Sequence, residues 1–280
     1  MPGLHVDVIG SGPPAVLLHG SFSFGALAFA EQRPLGAEFE LHIVDRRGFG
    51  HSPDGDGPVD FETEAPETAA LLDPPAHLLG HSYGAIVCMF AAALRPQAVR
   101  SLTVIEPPAF ALARGDEAVD RMVERIRAHK RDAAGLSEED YLQGFLEAWG
   151  FDRRSGPRFN HVARRSVRRS VGERSPHEAE IPFARLAAAG FPTLVARGGW
   201  DAAPERARAI GGHAFAAVCE VVAARLDAEV AVFPGTAHQP QLLGEPFNRR
   251  VARFWHAADR RFEARSGGRA PHAGPGPGWR

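Results

Sequence analysis

Short apolar runs, broken by clusters of Gly, Pro, Asp and Ser, set the rhythm of this chain. Residues 4–9 alternate apolar and polar positions and stop at Gly10-Ser11-Gly12-Pro13, which predicts a strand followed by a turn. Residues 15–18 are continuously apolar, as a strand buried on both faces should be, and 41–44, 76–79 and 99–105 read as further strands of the same sheet. Between them, 26–32 and 62–72 read as helices, the second with Pro66 at a first turn or a kink. Strand and helix alternate this way through residue 107, which predicts an α/β protein with a mostly parallel, doubly wound sheet covered on both faces.

The rhythm changes after Glu106-Pro107-Pro108. Residues 110–180 contain no strand pattern and read as helices: Val119, Met122, Val123 and Ile126 recur at helical spacing, and Ser137-Glu138-Glu139-Asp140 opens a second helix. A third, from 160 to 174, carries Val162, Ala163, Val167 and Val171 on one side. The sheet pattern resumes with strands at 192–196 and 229–233, a helix over 204–226 and a closing amphipathic helix over 247–262. The expected organisation is one α/β domain over 1–263, a helical cap inserted at about 110–180, and a Gly/Pro/Arg-rich tail, 264–280, too polar to fold. An insertion leaving the carboxyl ends of the strands sits over a site there as a lid.

Composition narrows the class without naming the chemistry. At 280 residues and a formal net charge of −2, the chain presents no global field for nucleic acid or an anionic membrane, and neither is expected as a partner. Lys130 is the one lysine, a bias better explained by GC-rich coding than by function. Cys88 and Cys219 fall in predicted helices and are expected as buried thiols. No basic region followed by an apolar run opens the chain, and no stretch of about 20 apolar residues is evident, so the expected location is cytoplasmic.

The chemistry gathers around Gly80-His81-Ser82-Tyr83-Gly84, between an apolar strand and an apolar helix. With 30 glycines in the chain this pattern alone is weak, but its context predicts a sharp strand–turn–helix with Ser82 at the apex. Such a turn lifts a hydroxyl toward a base, and it places Gly80 and Gly84 where a Cβ would clash. The backbone N–H of Tyr83 would face a developing oxyanion, with a second donor after His19-Gly20, at Ser21. Two loops after late strands, Gly198-Gly199-Trp200-Asp201 and Gly235-Thr236-Ala237-His238, leave the same sheet edge. This points to Ser82 as nucleophile, His238 as base and Asp201 as acid, with Glu106 as the alternative acid. Asp201 is preferred because Glu106-Pro107 leads the chain into the insertion. His19 and His81 are expected to be structural. No metal-ligand spacing and no phosphate loop is visible, so neither metal nor other cofactor is expected.

Taken in order, His19-Gly20, Asp45-Arg46-Arg47-Gly48-Phe49-Gly50-His51-Ser52, the Ser82 pentapeptide, Gly-Gly-Trp-Asp and Gly-Thr-Ala-His resemble the α/β-hydrolase fold superfamily over residues 4–262. The resemblance implies esterases, lactonases, C–C hydrolases, perhydrolases, some lyases and receptors. Serine at 82 argues against the branches that carry aspartate there, and some members take their acid at the position of Glu106. The expected activity is cleavage of a small or medium ester, lactone or related acyl bond in a small-molecule substrate, through an acyl-enzyme on Ser82. Cofactor-free C–C hydrolase, lyase or cyclase chemistry is the alternative, and a non-catalytic receptor the second. Arg164, Arg165, Arg168 and Arg169 form one face of a cap helix, read as solvated or as a dock for an anionic group. Phe145, Trp149, Phe151 and Phe159 are expected to build the cap core or line a pocket. Oligomeric state is not legible.

Overall fold

The computed structural model describes residues 3–55, 57–133, 135–152 and 160–267. Strands β1 (Val6–Ile9), β2 (Pro14–Leu18) and β3 (Glu40–Val44) enclose a single helical turn, α1 (Gly25–Ala28), that continues as a 3₁₀ segment through Ala37. The expected helix over 26–32 is therefore short and tightened; Pro34 and Gly36 stand in its path. Helix α2 (Phe61–Ala70), capped by the Asp60 side chain, precedes β4 (Ala76–His81), α3 (Tyr83–Leu94) and β5 (Val99–Ile105). Three helices follow between β5 and the next strand, in the segment expected as a cap: α4 (Glu117–Arg131), α5 (Glu138–Ala148) and α6 (His161–Val171). The chain returns through α7 (Phe183–Ala189), β6 (Thr193–Gly198), α8 (Glu205–Ala207), a π turn, α9 (His213–Leu226), β7 (Glu229–Phe233) and α10 (Glu245–Gly267).

The seven strands form one sheet in the order β1-β3-β2-β4-β5-β6-β7, with β1 antiparallel and every other pairing parallel. Alternation along the buried strands divides the interior into two layers. Val16 and Leu18 of β2 face one core, with Leu78, Val104 and Val195, under α3 and α9. Ala15 and Leu17 face the other, with Leu79, Ile105 and Ala196, where Phe247 and Trp255 of α10 close the layer. The edge strand β7 leaves Val230 and Val232 exposed.

Each cap helix starts on a side-chain cap: Asp116 accepts from Ala118 and Val119, Ser137 from Asp140, and Asn160 from Ala163. Val119, Met122, Val123 and Ile126 are the buried face of α4, as their spacing requires. The 205–226 segment, α8 through α9, is long and apolar enough to cross a membrane by length and composition, contrary to the sequence reading. In this fold its Phe215, Val218 and Val222 are spent on the core beside β6. The expected polar tail begins later than 264, because α10 runs on to Gly267; residues 268–280 lie outside the described part, as does Phe159.

Candidate active site

Strand β4 ends at His81, and Ser82 turns the chain into α3 with φ 54° and ψ −124°, a left-handed conformation that only a constrained turn holds in a side-chain-bearing residue. The turn is possible because α3 lies hard against the strands. A Cβ at Gly84 would come within 2.4 Å of the His19 and Leu18 carbonyl oxygens, and one at Gly80 within 2.5 Å of the Gly84 carbonyl oxygen. The Ser82 N–H donates to Ile105 O at 2.8 Å, which anchors the turn to β5. Ser82 and His238 line one cavity of about 850 Å³, whose wall also includes residues of α4, α5 and α6.

Parallel pairing of β5 with β6 sets Glu106, the residue after β5, beside Gly198 at the end of β6. Glu106, at φ 42° just past β5, is fully buried. Its Oε2 lies 2.8 Å from His238 Nδ1, and its Oε1 accepts from Gly198 N at 2.8 Å and Trp200 Nε1 at 2.9 Å. Asp201 is not on the histidine. Its carboxylate is exposed and accepts from the Gly235 N–H at 2.8 Å. Of the two acids weighed in sequence, the structure places the alternative, Glu106, on the histidine and the preferred Asp201 away from it. The Gly198-Gly199-Trp200 loop supplies donors to a carboxylate on the neighbouring strand, rather than the carboxylate itself.

Packing sets the electrostatics. The His238 ring lies 4.6 Å from Trp149 and 4.4 Å from Phe215, centroid to centroid, and burial there lowers its pKa to about 3. The imidazole rests neutral. With Nδ1–H given to Glu106, Nε2 is left as the acceptor. Burial pushes the Glu106 carboxyl up, against the bonds from Trp200 and Gly198. The Gly198 and Trp200 N–H groups can only donate, so these two bonds favour the carboxylate.

The other histidines hold backbone. His19 is buried, with Nδ1 2.7 Å from Gly20 O and Nε2 accepting from the Arg46 N–H at 3.0 Å; burial holds it neutral, well below the usual range. His81 Nε2 lies 2.9 Å from His238 O, which holds the His238 main chain. Among the described residues nothing takes the Ser21 backbone N–H, and Phe22 N–H is taken by Ser170 Oγ. Cys88 and Cys219 are buried thiols, both pushed up by burial.

The arginine face of α6 is engaged within the protein. Arg164 pairs with Glu139, Arg168 with Glu138, Arg165 with Asp54 and the Gly50 and Ser52 carbonyls, and Arg169 with Gly57 O. These contacts tie α6 to α5 and to the 50–57 loop. Phe145, Trp149 and Phe151 line the cavity. Away from it, folding gathers His5, Asp45 and His51 with donor atoms within 4.8 Å of one another, a metal-compatible set that their spacing in sequence conceals. Both Asp45 oxygens already accept backbone N–H groups, from Gly25 and His51.

The model of the alpha/beta hydrolase family matches residues 15–276. The chain belongs to that family. A pimeloyl-[acyl-carrier protein] methyl ester esterase of Xanthomonas oryzae pv. oryzae is 41% identical over 102 residues, 36% of this chain and 40% of that protein. The corresponding esterase of Aeromonas salmonicida is 39% identical over 108 residues, 38% of this chain and 42% of its own. These matches span about two fifths of each relative's length. Among solved structures, a thermophilic esterase from Thermogutta terrifontis superposes with a TM-score of 0.61 at 21% identity, covering 91% of this chain and 93% of its own. Est816, described as an N-acyl homoserine lactone degrading enzyme, gives 0.62 at 20% identity, with 90% and 96% covered. At these identities the structural likeness is one of fold.

Proposed function

We propose that the protein is a serine hydrolase that cleaves a small or medium ester, lactone or related acyl bond. The observation that carries this reading is the His238 imidazole, held at Nδ1 by buried Glu106 and opening onto the same cavity as the strained Ser82 turn. His238 Nε2 takes the Ser82 proton as Oγ attacks the acyl carbon, and the imidazolium is stabilised by Glu106. The oxyanion forms against the backbone N–H groups of Ser21 and Tyr83. His238 returns the proton to the leaving oxygen, and water, activated by the same nitrogen, releases the acid from Ser82.

The cavity wall favours an apolar acyl or alkyl group. Phe22, Leu142, Phe145, Leu146, Leu242 and Leu243 all face it. The partial relationship to methyl ester esterases supports an ester as the bond.

Turnover of p-nitrophenyl esters of increasing chain length tests the proposal. The wild type is expected to hydrolyse the series, and Ser82→Ala to lose about 10⁴-fold or more in kcat. Since the neutral imidazole is the active form and burial lowers its pKa, kcat/KM should hold steady through pH 6.5 and fall only at more acidic pH. Full turnover by Ser82→Ala, or an acid limb above 6.5, counts against it.

A further inference from the structure

The cap is hydrogen-bonded into the loop that follows β2, beyond lying over the cavity. Glu173 stands two residues past α6, and its carboxylate is buried. Its Oε2 accepts from Ser21 Oγ at 2.5 Å, and its Oε1 from Arg46 Nη1 at 2.8 Å. Three residues before it, Ser170, on the last turn of α6, accepts the Phe22 N–H at 2.8 Å and donates to Ser166 O. Phe22 itself has φ 60°, so its conformation is one that needs holding.

The base of this contact is rigid. Arg46 gives Nε and Nη2 to Glu64 at 2.8 and 2.9 Å, and its guanidinium lies 4.5 Å from the Phe49 ring centroid and 4.4 Å from that of Tyr83. Its backbone reaches His19, and His19 reaches Gly20 O. One cation between two carboxylates leaves a net negative charge, and Lys130 of α4 offsets it: Nζ donates to Glu173 O at 2.7 Å and to Ser175 Oγ at 3.2 Å. Burial raises the Glu173 carboxyl, and the Arg46 charge and the Ser21 hydroxyl oppose that shift.

Three consecutive residues of the loop are therefore fixed by named groups: Gly20 by His19, Ser21 by Glu173 and Phe22 by Ser170. Two of those three groups belong to the cap. The same loop lies against the nucleophile, since a Cβ at Gly20 would come within 2.7 Å of Ser82 Cβ. We propose that Glu173 is a positioning residue for acyl transfer. It holds the Ser21 side chain so that the Ser21 backbone N–H meets the developing oxyanion, and the oxyanion site is complete only while the cap is seated. The inference rests on the proposed Ser82 chemistry and adds a structural requirement to it.

The test uses Ser21→Ala, Ser170→Ala, Glu173→Gln and the Ser21→Ala/Glu173→Gln double variant, each checked for folding by circular dichroism and melting temperature. Turnover of a p-nitrophenyl ester is measured beside the affinity for a trifluoromethyl ketone, which forms a tetrahedral adduct on the serine. A misplaced donor should cost less than a deleted one, so Glu173→Gln and Ser21→Ala are each expected to lower kcat about 10- to 100-fold. KM should change less than about threefold, because substrate binding is largely cavity contact. Ketone affinity should fall in step with kcat, and the double variant should be no worse than Glu173→Gln, since both remove one contact. Ser21→Ala and Ser170→Ala each remove a single hydroxyl and keep the test open where Glu173→Gln unsettles the Arg46 cluster. Folded variants with wild-type kcat, losses confined to KM, or single losses that add in the double variant overturn the proposal. A wild type that hydrolyses no ester and takes no ketone overturns the Ser82 reading itself.

Discussion

Glu106 and Asp201 differ in what surrounds them, and that difference decides which one can serve the histidine. Glu106 is buried, with the Gly198 and Trp200 N–H groups on one oxygen and His238 Nδ1 2.8 Å from the other. Asp201 is exposed and caps the Gly235 backbone. Glu106→Gln should therefore lower kcat by about 10³–10⁴, as a disturbed imidazole tautomer does elsewhere, while Asp201→Asn stays within a few-fold of wild type. Steady-state kinetics of the two variants on one ester checks this, and the reverse order would restore Asp201. Sequence order alone could not separate them. Both acids follow a strand at the same sheet edge, Glu106 directly after β5 and Asp201 three residues after β6, and folding brings only Glu106 to the imidazole. The Ser82 turn and the placement of His238 on the same cavity were legible because the turn and the late loop impose a residue pattern; the Ser21–Glu173 contact was not, since a lone glutamate after a helix carries no pattern at all.

At the level of elements, short continuous apolar runs in the buried strands and the 3.6-residue spacing of α4 made the sheet and the inserted helices readable in outline. The π turn before α9 was hidden, because hydrophobic spacing continues across it. The α6 arginines show the limit of reading charge from a helix face: the spacing of like charges is visible, but the acids that meet them come from α5 and from Asp54. Burial separates those pairs from the Arg46 cluster. Arg46 is enclosed between Glu64 and Glu173, so Arg46→Ala leaves two buried carboxylates without their cation. It should cost about 3–5 kcal/mol of stability, against about 0–1 kcal/mol for breaking the exposed Arg121–Glu117 pair. Urea unfolding monitored by tryptophan fluorescence measures both, and equal losses would contradict the assigned role of the cluster.

Across the whole molecule, the sheet brings Ser82, Glu106 and His238 to one edge, and residues of α4, α5 and α6 line the cavity beside them. The central claim is that this edge activates Ser82 for acyl transfer, and fluorophosphonate labelling followed by intact-mass analysis and peptide mapping tests it most directly. A single adduct on Ser82 in the wild type, abolished by Ser82→Ala and strongly slowed by Glu106→Gln, is the predicted result. A folded protein that takes no adduct, or takes it on another residue, would contradict the account.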